Sequence, residues 1–273
     1  MKIKFLGTAA AEAFPAMFCD CENCRKAAAL GGKNIRTRSQ AIIDDDMLID
    51  YPCDTYFHLV QNNINLLSIK HCLITHTHSD HFYPDDLSWL KYGYSHPPKN
   101  WHGLTVYGSE DIKKPLSEKT ANDFLNCEVL SPFKTYKIGD YSVTPLKAKH
   151  GTKNPYIYII CKENKALLYA HDTGIFPNET WKYLKNSGIC FDAVSFDCNE
   201  GAAMKISYDT HMCLGDNLKC RDMLFENNLA DENTKFVLNH FSHNGKDVVY
   251  DDFSKIAESY GFLTSYDGFQ LEI

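Results

Sequence analysis

The run "THTHSDHF" supplies His76, His78, Asp80 and His81 within six positions. Imidazole and carboxylate are ligands that zinc and related divalent cations accept. His76 and His78 are two apart, so on an extended backbone they project to the same side. Asp80 and His81 follow where the chain must turn, because Pro84 and the acidic pair Asp85-Asp86 read as a helix start. The run can offer imidazoles to one cation and a carboxylate–imidazole pair to a second, but it cannot complete two sites. Further ligands must come from other strand ends. His150 closes "VTPLKAKH", Asp172 closes "KALLYAHD" and His240 closes "KFVLNH". Each follows an apolar run, where side chains of neighbouring strands can converge on one edge. Together they supply two histidines and a bridging carboxylate.

A second group lies near the start of the chain. "FCDCENC" places Cys19, Cys21 and Cys24 at metal-ligand spacing, one short of the four ligands of a closed structural zinc site. His243 lies three residues after His240 in "HFSHNG". If His240 reaches a catalytic metal, the turn after it could carry His243 to this separate site. The other eight of the eleven cysteines form no comparable cluster. Without a secretory signal, they point to reduced thiols and a cytoplasmic protein.

These residues need strands and turns to hold them. Ile3 to Leu6 reads as a first strand ending at Gly7, and residues 39–52 read as a hairpin with aspartates around its turn. A helix follows with Asp54 as its N-cap. "HCLITH" is a buried strand, "DDLSWLKYGY" (85–94) a helix, and "YIYIICKENKALLYAHD" a hairpin turning at Glu163-Asn164. "FDAVSFDC" and "TKFVLNH" are further buried strands, separated by a helix in "LGDNLKCRDMLFENN". "FLTSYDGFQLEI" suggests a final strand pair. Hydrophobic content of 44% and charged content of 23% are those of a globular protein. No apolar run approaches a membrane span, so no membrane partner is expected. The net charge of -7 argues against a nucleic-acid surface. One α/β domain over residues 1–273, built on two sheets, is expected.

With its HxHxDH motif and the later His150, Asp172 and His240, the sequence resembles the metallo-β-lactamase superfamily, from "FLGTAA" through "LIDYP" to "SYDG". The resemblance implies an αβ/βα four-layer sandwich of two mixed sheets flanked by helices, with the site at one edge between the sheets. It implies one metal on His76, His78 and His150 and another on Asp80, His81 and His240, bridged by Asp172. Zinc or manganese would serve as the two catalytic metals. Two dications, two aspartates and a hydroxide leave a formal charge of about +1, which suits a phosphodiester monoanion. A thioester or lactone carbonyl also remains open.

The CxCxxC loop, with HxxH at the last catalytic histidine, resembles the phosphonate-pathway cyclic phosphodiesterases of that superfamily. This implies a structural zinc at Cys19, Cys21, Cys24 and His243, and a non-ligand histidine near the substrate. The matching residue is His211 in "YDTHMCLGDN", as general acid to the leaving oxygen or donor to a phosphoryl oxygen. The expected partner is a small-molecule phosphodiester, and a homodimer stays open. A tRNA 3'-end endonuclease would need a basic RNA-gripping arm, which is not evident. A non-enzymatic metal-binding protein would not require the open two-metal motif. Arg36 and Arg38 read as surface residues, His171 as pointing away from the metals, and residues 92–101 as a lid or substrate loop.

Overall fold

A computed structural model describes all residues except 92 and 120–123, so the first residue of the 92–101 segment lies outside the described residues. The chain forms β1 (Lys2–Gly7), α1 (Glu22–Leu30), β2 (Gln40–Ile43), β3 (Met47–Ile49), α2 (Thr55–Asn62), β4 (His71–Leu73) and β5 (Leu104–Gly108). It continues through α3 (Lys113–Lys119), β6 (Leu125–Val129), β7 (Tyr136–Ile138), β8 (Tyr141–Lys147), β9 (Tyr156–Lys162) and β10 (Lys165–Ala170). The last elements are α4 (Asn178–Ser187), β11 (Ala193–Asp197), α5 (Leu214–Glu226), β12 (Lys235–Asn239), α6 (Tyr250–Ser259), β13 (Leu263–Thr264) and β14 (Gln270–Glu272). Two seven-stranded sheets result, in the orders β14-β1-β2-β3-β4-β5-β6 and β13-β12-β11-β10-β9-β8-β7.

Alternation along the strands makes the layers. Met47 and Ile49 face the second sheet and pack with residues such as Tyr158 and Leu167, while Leu48 faces outward with Ile42 and Val106. In the second sheet Tyr158 and Ile160 point inward, and Ile157 and Ile159 point out against Trp181, Leu224 and Phe253 of α4, α5 and α6. Helices thus cover both outer faces. This is the four-layer sandwich that the sequence implied.

Strand direction decides where the ligands go. β3, β4, β5 and β6 are mutually parallel, and two antiparallel steps through β2 make β1 parallel to them. In the other sheet β10, β11 and β12 are parallel, and two antiparallel steps through β9 bring β8 into the same sense. The segments that leave β8, β10, β11 and β12 therefore emerge at one edge of their sheet, and those leaving β1, β3 and β4 emerge together on theirs. Ligand sites in open α/β sheets lie beyond such carboxyl ends.

Three expectations need correction. Among the described residues of 85–94, the helical part is a 3-10 turn over Asp86–Trp89. The last two strands do not pair with each other: β13 runs parallel to β12 and β14 antiparallel to β1, in different sheets. Arg36 is not on the surface but fully buried, stacked 4.1 Å over the Phe241 ring, with Nη1 donating to Thr8 and to the Ser265 carbonyl. No described helix is long and apolar enough to cross a membrane.

Candidate metal-binding active site

The chain after β4 carries the HxHxDH motif away from the sheet, and Asp50, at the end of β3, holds its beginning. Asp50 accepts from the Thr75 amide at 2.8 Å and from its hydroxyl at 2.9 Å, and its Oδ2 lies 2.7 Å from His81 Nδ1. That contact leaves His81 Nε2 for the site. His76 Nε2 and His150 Nε2 each approach His78 Nδ1 to 3.0 Å. His81 Nε2 and His240 Nε2 are 3.2 Å apart. Ring nitrogens at such separations match ligands of one ion, since two nitrogens on a tetrahedral zinc with bonds of 2.0–2.1 Å lie about 3.3 Å apart.

Asp172 sits between the two sets. Its Oδ2 is 3.1 Å from His76 Nε2 and 3.2 Å from His81 Nε2. Its buried Oδ1 lies 3.0 Å from His150 Nδ1 and 3.2 Å from His211 Nδ1, so the carboxylate is surrounded by imidazole nitrogens on both sides. The structure brings His76, His78, His150 and Asp172 within 4.8 Å of one another by their ligand atoms, and likewise Asp80, His81, Asp172 and His240. Both groups could hold a divalent cation, and Asp172 is common to them. The remote ring nitrogens are tied down as well. His76 Nδ1 faces the Thr75 hydroxyl, His150 Nδ1 the Thr210 carbonyl, and His240 Nδ1 the Asp197 carboxylate at 3.3 Å. Such outer partners select the tautomer and orient the ligand.

Cys19, Cys21, Cys24 and His243 form a separate group with the same closeness. His243 Nδ1 lies 3.4 Å from Cys19 Sγ and 3.6 Å from Cys21 Sγ, near the roughly 3.6 Å that bonds of 2.3 and 2.0–2.1 Å give around tetrahedral zinc. Cys24 Sγ accepts from the Ala16 amide, and Cys21 Sγ from the Cys24 amide. Burial opposes a Cys21 thiolate, but His243 and the Cys24 amide outweigh it and lower the thiol to about 6. All eleven cysteines are free thiols.

His211 belongs to neither of those two sets but stands beside them, in a further close group with Asp172, Asp197 and His240, and stacked on His240 at a ring distance of 5.7 Å. Its Nδ1 lies 3.0 Å from Asp197 Oδ2. Burial disfavours its imidazolium, while Asp197 and Asp172 outweigh that and raise it to about 9. Asp197 was missed in the sequence. It is fully buried at the end of β11, accepts from the Asn199 and Met212 amides through Oδ1, and offers Oδ2 to both His211 and His240. Burial would raise its carboxyl, yet the two histidines hold it below the usual carboxylate range. The signal was available: Asp197 ends an apolar strand just as Asp172 does. His171 turns the other way, to Ser195 and Asn239.

The cleft over the site has a volume of about 350 Å³. Glu12, Asn199, Glu200, Tyr208 and Asn244 line it beside the histidines, and no described lining residue is Lys or Arg.

Two mixed sheets between helices, with these residues at their shared edge, define a metallo-β-lactamase fold. Residues 39–235 match the family model of the anti-Pycsar protein Apyc1, and the chain belongs to that family. Among solved structures, a diphosphatase of the PhnP family is 19% identical with a TM-score of 0.75, covering 100% of this chain and 97% of that one. Zinc-bound PqqB from Methylobacterium extorquens is 18% identical with a TM-score of 0.76, covering 100% of both chains. The short form of human tRNase Z is 14% identical with a TM-score of 0.66, covering 100% and 99%. A search of curated proteins finds no match.

Proposed function

We propose that the cleft is the active site of a metal-dependent hydrolase that opens a small cyclic phosphodiester. The observation that carries this reading is the placement, in one cleft, of two ligand groups sharing Asp172 next to a histidine that belongs to neither. His76, His78 and His150 would hold one cation, and Asp80, His81 and His240 the other. Zinc or manganese bound there would supply Lewis acidity and a more acidic water. The Cys19, Cys21, Cys24 and His243 group would hold a structural zinc, its four ligands leaving no open position.

His211 has the geometry of a general acid. Asp197 fixes its Nδ1, so Nε2 is the ring nitrogen left to give a proton to the leaving oxygen when a P–O bond breaks. Asp197 orients the ring and stabilises its charged form. The absence of Lys and Arg from the described lining favours a monoanionic diester over more highly charged phosphates. The PhnP-family diphosphatase likeness supports phosphoester chemistry. A tRNA 3'-end endonuclease would share the fold, but Glu12 and Glu200 in the cleft lining do not favour an RNA backbone.

The test is steady-state hydrolysis by zinc- or manganese-loaded protein of a cyclic ribose phosphate, a 3',5'-cyclic nucleotide and a glutathione thioester. Turnover of the cyclic phosphates alone is expected, with His211→Ala lowering kcat by about 10²–10⁴-fold while bound metal is kept. Cleavage of the thioester alone would overturn the substrate class.

A further inference from the structure

We propose that Glu12 is a specificity residue that accepts a hydrogen bond from the uncharged, organic part of the substrate, and that the neighbouring cysteine–histidine group holds it in place. The proposal rests on the phosphodiesterase reading above and names what that cleft selects.

Glu12 lines the same cleft as His78, Asp80 and His211, yet it is not a loose surface acid. Ser242 Oγ donates to Glu12 Oε1 at 2.9 Å. The Ser242 hydroxyl also accepts from the Asn244 amide at 3.2 Å, which leaves its single proton committed to Glu12. His243 Nε2 lies 3.5 Å from the same oxygen, while its Nδ1 faces the sulfurs of Cys19 and Cys21. A histidine engaged through Nδ1 carries its proton on Nε2 and points it at a carboxylate. The backbone is fixed too. Arg38, braced on Asp54 at 3.2 Å, donates through Nε to the Ala11 carbonyl at 2.8 Å, and the Ala10 amide donates to the Phe241 carbonyl at 2.9 Å.

One oxygen of Glu12 is thus oriented by the Ser242 hydroxyl, with the His243 ring 3.5 Å away, and Oε2 accepts no hydrogen bond among the described residues. A pre-oriented carboxylate in a cleft discriminates strongly when a ligand offers or lacks a matching donor. It repels the phosphate, so the group it meets is an N–H or O–H of the neutral moiety. In a cyclic nucleotide that donor is an exocyclic amino group of the base or a hydroxyl of the sugar. Carboxylates accept from exocyclic base amines in direct readout.

The experiment compares 3',5'-cyclic AMP, 3',5'-cyclic IMP and 2'-deoxy-3',5'-cyclic AMP as substrates of the metal-loaded wild type, Glu12→Gln and Ser242→Ala. Hypoxanthine replaces the adenine amino donor by a carbonyl acceptor, and the deoxy compound removes the sugar hydroxyl. Wild type is expected to show a KM about tenfold lower for cyclic AMP than for one of the other two, with a smaller change in kcat. The affected substrate identifies the donor. Glu12→Gln, which keeps the shape but adds an amide donor, should erase that preference, and Ser242→Ala should narrow it. Calorimetric titration of the product nucleotides AMP and IMP, or AMP and its deoxy analogue, should give the same ratios without turnover. Equal ratios in wild type and Glu12→Gln would overturn the role of Glu12 alone. Failure of wild type to turn over any of the three, or the cyclic ribose phosphate, would overturn the phosphodiesterase reading beneath it.

Discussion

Asp50, Asp172 and His240 hold left-handed backbone, at φ of 66°, 52° and 62°. For a residue with a Cβ this costs of order 1–3 kcal/mol, and it is tolerated best by Asp, Asn and His. All three sit at strand ends where the chain must swing a polar side chain into the site. Asp172→Asn is expected to keep that backbone and remove the carboxylate charge common to both ligand groups. It should abolish hydrolysis and deplete cations held by the two histidine groups, while zinc held at the proposed cysteine–histidine site stays, as read by metal analysis of the purified variant. Loss of all bound metal would show that the sites are not separate. The histidines and Asp172 were legible in the sequence because a polar ligand after an apolar run is conspicuous. Asp197 carried the same signal and was passed over, whereas Asp50 and Glu12 were not legible, because each acts through a partner distant in sequence: His81 lies 31 residues from Asp50, and Ser242 lies 230 from Glu12.

At the scale of elements, the site depends on how closely the loops after β10 and before α5 approach. A Cβ on Gly174 would lie 1.8 Å from the Asp209 carbonyl oxygen, so no side chain fits without moving the segment that leads to His211. Gly174→Ala should therefore lower kcat by about 10²-fold, the effect of displacing a catalytic group by about 1 Å, with cation binding preserved. An unchanged kcat would mean the loop yields without moving the histidine. The strands ending in ligands were readable from their apolar runs, and the 156–170 hairpin turns where expected, with Glu163 at φ 53°. The 85–94 helix was misread because acidic residues after Pro84 signal a helix start without guaranteeing a continuation. The last two strands were misread because local pattern does not say which sheet a short strand joins.

At the scale of the whole molecule, a buried chain of hydrogen bonds ties α2 to the segment between β13 and β14. His58 Nδ1 meets Gln40 Oε1 at 2.6 Å, and its Nε2 meets Thr37 Oγ1 at 2.6 Å, which lies 2.5 Å from Asp267 Oδ2. Gln40 Nε2 donates to the Asp50 carbonyl and Thr55 Oγ1, so Oε1 must face His58, and Nδ1 carries the proton. Thr37 then has one proton for two acceptors, and the unit is satisfied only by sharing one more. Burial lowers His58 to about 4, so its contribution is present above pH 6.5 and lost as pH falls toward 4. Burial raises Asp267 to about 6 against the hydrogen bonds from Thr37 and Thr8, so its contribution is present below pH 4 and lost as pH rises through 6. Each is about 3 kcal/mol, and between pH 6 and 4 they offset. Asp267→Asn should unmask the histidine, making denaturant-measured stability fall by about 3 kcal/mol from pH 7 to 4 relative to wild type. A pH profile parallel to wild type would mean that the two groups do not titrate as a pair.

The charge of the cleft, whose described lining holds no lysine or arginine, also bears on what happens after the bond is cut. On the proposed reaction a cyclic diester arrives with one negative charge, whereas its opened monoester, with a second pKa near 6, departs with almost two at neutral pH. Glu12 and Glu200 line the cleft it must leave. The added charge meets His211, held charged by Asp197 and Asp172, and the cations that the two ligand groups would hold, so the product is gripped where it forms while the glutamates oppose it. Product inhibition should therefore be measurable, and His211→Ala should weaken it, as inhibition constants of the monoester for the two proteins would show.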